Sequence, residues 1–147
     1  MKKIISKPHI FFFILIPVLL LFGYLNKEST IDINIYNSFF VIHQKSICYI
    51  SAVFFGLIGL NYFSLIWAKR PPKKWLTRIH IILQSISLIL LFTRNSWNWI
   101  GENEYPLELN LAPDYSNLIL IISFFFFLMA TLIHLANFFI SLMSKSK

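Results

Sequence analysis

The sequence is poor in the residues on which most enzyme and ion-transport sites depend. Among 147 residues it has six acidic residues and one cysteine, and charged residues make up only 13%. All six acids lie between or beside the long apolar runs rather than within them. An ion pump or channel usually needs a carboxylate inside the membrane, so this function class is not expected. The single cysteine, Cys48, excludes an internal disulfide.

Catalytic motifs are also missing. No nucleophile–base pair, phosphate-binding loop or cluster with the spacing of metal ligands can be found. The acids Glu102 and Glu104 lie in a polar segment, where a solvated acidic surface is a more ordinary role than general acid–base chemistry. We therefore predict a protein that is not an enzyme.

Apolar residues are what the sequence has in abundance. It is 57% hydrophobic and contains 16 phenylalanines. A soluble domain of this size lacks the interior to bury so much apolar surface, so the lipid bilayer is the predicted environment. The net charge of +7 is consequently no sign of nucleic-acid binding, because no soluble module accompanies it.

Four apolar runs are each long enough to cross a bilayer, which takes roughly 20 residues. We predict an all-α bundle of four transmembrane helices in one membrane domain. The predicted helices are residues 9–25, 39–67, 75–93 and 117–143, with outer loops 26–38 and 94–116 and an inner loop 68–74. The first run could also be a cleaved signal sequence. Because no small-x-small cleavage site follows it, a retained helix is favoured.

The charges sort by side and predict the topology. Ten of the 13 basic residues precede the first run, join the second to the third, or close the chain, whereas the six acids and three basic residues fall toward the other side. Loops on the cytoplasmic side of a membrane carry an excess of positive charge. We therefore expect both termini in the cytoplasm and the chain in the cell inner membrane.

Small residues in the second run predict close helix packing. Ala52 and Gly56 are four residues apart, and Gly59 lies near the same helical face. Such spacing lets another helix approach closely. We expect this face, together with the long outer loop, to make contacts with partners.

A polar layer is predicted in the inner half of the bundle. Asn61, Gln84 and His134 lie on the second, third and fourth runs, each about 9–13 Å from the inner end of its helix at a 1.5 Å rise per residue. Asn137 lies one turn nearer the cytoplasm. Polar groups seldom face lipid at this depth, so these four side chains should face the interior. They could form interhelical hydrogen bonds, or a small polar or proton-sensitive cavity around His134.

Histidines on different helices could ligate a haem iron if they lay at one depth. His80 lies about 3 Å inside Arg78, and His134 about 13 Å from Met143, so their depths should differ by roughly 10 Å. His43 lies toward the opposite side. The three histidines are therefore weak candidates for cofactor binding, and no metal or haem is expected.

One segment resembles a known family. Residues 32–42 read DINIYNSFFVI, and residues 36–50 read YNSFFVIHQKSICYI. This stretch resembles the segment leading into the tenth helix of the haem–copper oxidase catalytic subunit, which typically reads HDTYFVVAHFHYVLS. The likeness covers about a fifth of the chain. It is also similar to the start of small four-helix membrane proteins with a DINIHDTYFVI-like sequence.

The resemblance implies a scaffold without the oxidase metals. The His-Asp pair near the magnesium site of the family corresponds to Tyr36 and Asn37, and the two haem-ligand positions correspond to Gln44 and Ser46. His43 lies one residue before a ligand position, which rotates it by about 100° around a helix. None of the metal-related residues is retained.

We therefore expect an accessory or structural subunit of a membrane complex, or a homo-oligomer. Two alternatives stay open. One is a haem-binding or redox remnant of an oxidase-like architecture. The other is a small transporter component that uses the Asn61–Gln84–His134 layer.

Overall fold

The described part of the chain consists of four long helices and one short hairpin. A computed structural model of the protein describes residues 7–35, 38–94 and 115–143. The elements are helix α1 (Pro8–Leu25), strands β1 (Thr30–Ile35) and β2 (Ser38–His43), and helices α2 (Gln44–Trp67), α3 (Lys74–Thr93) and α4 (Tyr115–Met143).

All four helices are long and apolar enough to cross a membrane. With 18 residues the shortest of them, α1, is about 27 Å long, close to the thickness of a bilayer core. The chain therefore has the build of an all-α, multi-pass membrane protein. The predicted ranges 9–25, 75–93 and 117–143 differ from the observed helices by no more than two residues at either end.

The second helix begins later than the sequence analysis predicted. Residues 39–43 belong to β2, and α2 starts at Gln44, so the predicted start at residue 39 is wrong. The strands pair antiparallel, in a register that runs from Thr30 opposite His43 to Ile35 opposite Ser38. Aromatic and β-branched residues such as those of β2 favour strands, and β1 alternates isoleucine with polar residues. The predicted loop 26–38 therefore contains a strand, whose Ile31 is buried.

Helices α1 and α2 pack antiparallel. Gly23 near the end of α1 lies against Cys48 near the start of α2, whereas Phe13 lies against Gly59 toward the other end. Phe12 stacks on Tyr62 with ring centroids 5.7 Å apart. The buried residues of α2 recur every three or four positions, which places them on one helical face: Cys48, Ala52, Phe55, Ile58, Gly59, Tyr62 and Leu65.

The chain divides into two compact units, with boundaries after Thr77 in α3 and after His134 in α4. The first unit contains α1, the hairpin, α2, the start of α3 and the end of α4. In the second unit, residues 78–134, the helices are joined by reciprocal hydrogen bonds between Ser87 and Ser123. Each hydroxyl donates to the backbone carbonyl of the other residue at 2.9 Å.

The connection from α2 to α3 is held by backbone hydrogen bonds. The amide of Arg70 donates to the carbonyl of Leu65, and that of Lys69 to the carbonyl of Ile66. Lys69 has a φ of 57°, the left-handed conformation that usually falls to glycine after a helix. Pro71 and Pro72 follow and separate the two helices, since proline cannot continue a helix interior. The predicted inner loop 68–74 is thus an ordered turn up to the start of α3 at Lys74.

Candidate functional site

Two clusters of buried polar side chains lie within the apolar helices, one in each unit. We call the first the Asn137 cluster; it comprises the side chains of Tyr62, Thr77 and Asn137 together with the backbone of Lys73. We call the second the histidine pair; it comprises His80 and His134, with Gln84 one turn along α3 from His80. Polar groups within membrane spans are costly and often functional, so each cluster is a candidate site.

At the centre of the Asn137 cluster, both polar atoms of the Asn137 side chain are hydrogen-bonded. Oδ1 of Asn137 accepts a hydrogen bond from the backbone amide of Lys73 at 2.9 Å. Its Nδ2 donates to Oγ1 of Thr77, also at 2.9 Å. The Thr77 hydroxyl donates in turn to the carbonyl of Lys73 at 3.1 Å. The side chain of Asn137 therefore supplies both a donor and an acceptor to the start of α3.

This arrangement satisfies groups that a helix start leaves open. The first backbone amides of a helix have no partner within the helix. Asn137, on another helix, binds the amide just before Lys74, the first residue of α3. The Tyr62 hydroxyl is hydrogen-bonded to the side chains of Asn137 and Thr77, so α2 takes part as well. Tyr62, Thr77 and Asn137 are fully buried, and the cluster therefore joins three helices away from water.

Arg70 makes a second contact between the turn after α2 and helix α4 in the first unit. Its Nη1 donates to the backbone carbonyl of Leu142, in the last turn of α4. The last carbonyls of a helix lack partners in the helix and carry partial negative charge, so a guanidinium stabilises them. The turn between α2 and α3 is thus fastened to α4 by Arg70 and by Lys73.

The histidine pair is a close contact between two rings. The imidazole centroids of His80 and His134 are 5.0 Å apart, with an angle of 31° between the ring planes. Both residues are buried. The predicted depth difference of roughly 10 Å is therefore wrong. That prediction measured His80 from Arg78, whereas α3 begins four residues earlier, at Lys74, which places His80 about 9 Å into the helix.

Gln84 differs from the residues of the Asn137 cluster. It is fully buried in the second unit. Within the described part of the chain, neither Oε1 nor Nε2 of its amide has a hydrogen-bond partner. A buried amide without partners costs free energy, so this position either binds something small and polar or reduces stability.

The predicted polar layer is divided between the two units. Asn61 and Asn137 belong to the first, and Gln84 and His134 to the second. Gln84, His134 and Asn137 are buried, whereas Asn61 is only half-buried. Asn137 makes hydrogen bonds between helices, one of the two roles predicted for the layer.

The predicted packing residues lie against α1 of the same chain. A Cβ on Gly59 would come within 2.7 Å of the Phe13 ring, and one on Gly56 within 3.5 Å of Ile16. Ala52 is also buried within the chain. The close approach of another helix to this face is therefore found, with α1 as that helix, and a contact of the same face with a partner stays a prediction.

The remaining candidates lie around the hairpin. His43 is the last residue of β2 and is exposed. Among the positions that carry the resemblance, Gln44 is half-buried and Ser46 exposed at the start of α2. Tyr36, Asn37 and most of the predicted outer loop 94–116 lie outside the described residues.

Sequence reasoning missed several members of these sites. Tyr62 and Thr77 were not singled out, and neither were the bonded Ser87 and Ser123. One signal could have found Thr77, because it lies three residues before His80 and seven before Gln84, on the same face of a helix. No comparable spacing marks Tyr62, since a tyrosine in an apolar run is ordinary.

The chemistry of the described residues is limited. In the ranges 7–35, 38–94 and 115–143, no group of three or more His, Cys, Asp or Glu side chains is placed to hold a metal ion. Comparison with protein-family models, with curated proteins and with solved structures finds no match to the chain.

Proposed function

We propose that this protein is a non-enzymatic accessory or structural subunit of a membrane complex, or a homo-oligomer. Its four helices would cross the cell inner membrane with both termini in the cytoplasm. The charge distribution supports this orientation, because the basic residues at the start, in the turn after α2 and at the end would all lie inside.

The observation that carries the proposal is how little of each helix the chain itself covers. In the apolar stretch of each of the four helices, between 22% and 33% of the residues are buried within the chain. The uncovered surface of α4 is formed by large side chains, among them Phe124, Phe125, Leu128, Leu132 and Phe139. Polar residues such as Ser123, His134 and Asn137 are turned inward instead. A small protein with this surface is suited to packing against lipid and other membrane helices.

Site-specific crosslinking tests this proposal in native membranes. A photoreactive amino acid at Phe125, on the exposed face of α4, should yield a crosslinked protein band of discrete mass. The matched control is the same group at Ala130, which is buried on the same helix. A lone monomer after mild solubilisation, with Phe125 crosslinking to lipid alone, would rule the proposal out.

A second candidate is cofactor binding at the histidine pair, favoured by the 5.0 Å separation of the rings. A metal–nitrogen bond of about 2.0–2.1 Å places a metal about 3.2 Å from each ring centre. Two imidazoles on opposite sides of one haem iron would then have centroids about 6.4 Å apart, farther than observed, whereas around a tetrahedral ion the centroids would lie about 5.2 Å apart. The geometry therefore fits a single ion better than a haem.

This candidate is less favoured than the first, because no acidic residue on α3 or α4 is present to balance the charge of a bound cation. Neither α3 nor α4 contains an acidic residue, so only neutral ligands would surround the ion. Burying a cation without an opposite charge is expensive. Metal analysis and an absorption spectrum of the purified protein test the role. A bound metal or Soret band that disappears in His80→Leu and His134→Leu, but not in the exposed control His43→Leu, would establish it in place of the first proposal.

A further inference from the structure

The turn between α2 and α3 combines positive charge with a fixed backbone. We call Lys69, Arg70, Lys73 and Lys74 the basic turn. The side chains of Lys69, Lys73 and Lys74 are exposed, while Arg70 binds the carbonyl of Leu142. Within the described residues a salt bridge joins Lys27 to Glu28, and no acid pairs with the basic turn. Three lysine ammonium groups are therefore exposed within six residues of the chain, and no acidic residue in the described ranges neutralises them.

The backbone beneath these lysines is held at several points. Arg70 and Lys69 donate backbone hydrogen bonds to the last turn of α2. The amide of Lys73 is bound by Asn137 at 2.9 Å, and two prolines stiffen the residues between. A surface held in place before binding loses less conformational entropy when a ligand arrives. The turn is thus better prepared for an anion than a flexible basic loop would be.

A lysine at position 69 is unusual, because the backbone there is in the left-handed conformation. A residue in the left-handed conformation after a helix is usually glycine, because a side chain there is strained. Lysine at this position is less favourable for folding than glycine, although its charge is well placed near the end of α2. The strain points to a role for the ammonium group beyond folding.

Two tryptophans indicate what kind of anion the turn would meet. Trp67 at the end of α2 is 81% exposed, and Trp75 at the start of α3 is 62% exposed. Tryptophans of this kind are enriched at the level of lipid headgroups. Both flank the basic turn in sequence, so in a spanning chain the lysines would lie at the phosphate level of the membrane.

We infer that Lys69, Lys73 and Lys74 form a binding site for the phosphate group of an anionic phospholipid. Basic clusters next to membrane spans attract such lipids by roughly 1 kcal/mol per residue. This inference rests on the turn itself and on the chain lying in a membrane. It does not depend on an accessory function, because a monomer would bind the lipid equally well.

Native mass spectrometry of the full-length protein in detergent tests the site directly. Phosphatidylglycerol is titrated into the wild type, Lys69→Gln/Lys74→Gln, and the matched control Lys27→Gln/Lys45→Gln, which removes the same charge from the other end of the unit. We expect the affinity for phosphatidylglycerol to fall about thirtyfold in the first variant, at roughly 1 kcal/mol for each of the two lysines, and to stay close to wild type in the control. Equal affinities in all three proteins would overturn the site. Equal losses in both variants would also overturn it, because net charge alone would then account for the binding.

Two further measurements distinguish the ammonium group from the backbone strain, and the lipid from free phosphate. Lys69→Gly removes the ammonium group and the strain together, so it should fold at least as well as the wild type and still lose affinity. Retained affinity in this variant would contradict a role for Lys69. Inorganic phosphate in excess should not displace phosphatidylglycerol; displacement with the same dependence on Lys69 and Lys74 would assign the site to free phosphate instead.

Discussion

The Asn137 cluster and the histidine pair are both buried and polar, yet their hydrogen bonding differs. Asn137 uses its amide oxygen and nitrogen in bonds of 2.9 Å to Lys73 and Thr77. Gln84, beside His80 on α3, uses neither within the described residues. A buried polar group that is satisfied stabilises a structure, whereas one that is not satisfied weakens it. We conclude that the first cluster is a structural joint, whereas the second contains a buried amide that the described residues leave unsatisfied.

The largest expected effect comes from removing Asn137. Asn137→Leu would leave the amide of Lys73 without its partner and Thr77 without its donor, and it would also remove a partner of Tyr62. We expect the free energy of unfolding to fall by about 2–3 kcal/mol, measured by denaturation in mixed micelles. A variant as stable as the wild type would show that the cluster contributes nothing.

Two glycines where α1 packs on α2 provide a comparison with a contact that involves no polar group. A Cβ on Gly23 would lie 2.8 Å from Cβ of Cys48, which cannot rotate away, whereas one on Gly56 would meet Ile16 at an ordinary 3.5 Å. Gly23→Ala should destabilise the protein by about 2 kcal/mol, because the helices must move apart. Gly56→Ala is the matched control and should be close to neutral in the same assay. Equal effects would contradict the packing of α1 on α2.

A comparison of Thr77 with Thr131 isolates the contribution of the hydrogen bond between Asn137 and Thr77 to stability. The hydroxyls of Thr77 and Thr131 each donate to a carbonyl four residues earlier, but Thr77 also accepts from Asn137. Thr77→Val should therefore lower the unfolding free energy by about 0.6 kcal/mol more than Thr131→Val does. If the two variants lost the same amount, the bond to Asn137 would carry no net stability.

The smallest loss of stability is expected at Gln84. Gln84→Leu removes a buried amide that has no protein partner in the described residues, so stability should be unchanged or higher by up to about 1 kcal/mol. A loss as large as that of Asn137→Leu would reverse the comparison. It would mean that a bound water or ligand satisfies Gln84.

The sequence predicted the four helices because long apolar runs have few alternatives in a membrane. It did not predict β2, because the short apolar run FFVI at residues 39–42 continues into the apolar run of α2 and its periodicity does not distinguish a strand from a helix; pairing with β1 decides. The depth of His80 was wrong because it was measured from Arg78, the last charged residue before the apolar run, and not from the start of α3 at Lys74. Tyr62 could not be found, because its role depends on how α2 is rotated toward α3 and α4.

Labelling of single cysteines in intact cells is the most direct test of a four-span chain with the basic turn inside. With Cys48 replaced by alanine, a cysteine is placed at Lys27, between α1 and β1, or at Lys74, at the start of α3. A membrane-impermeant maleimide should label the Lys27→Cys protein in intact cells and the Lys74→Cys protein only after permeabilisation. Labelling of Lys74→Cys in intact cells, or protection of both positions, would contradict the topology and the lipid site with it.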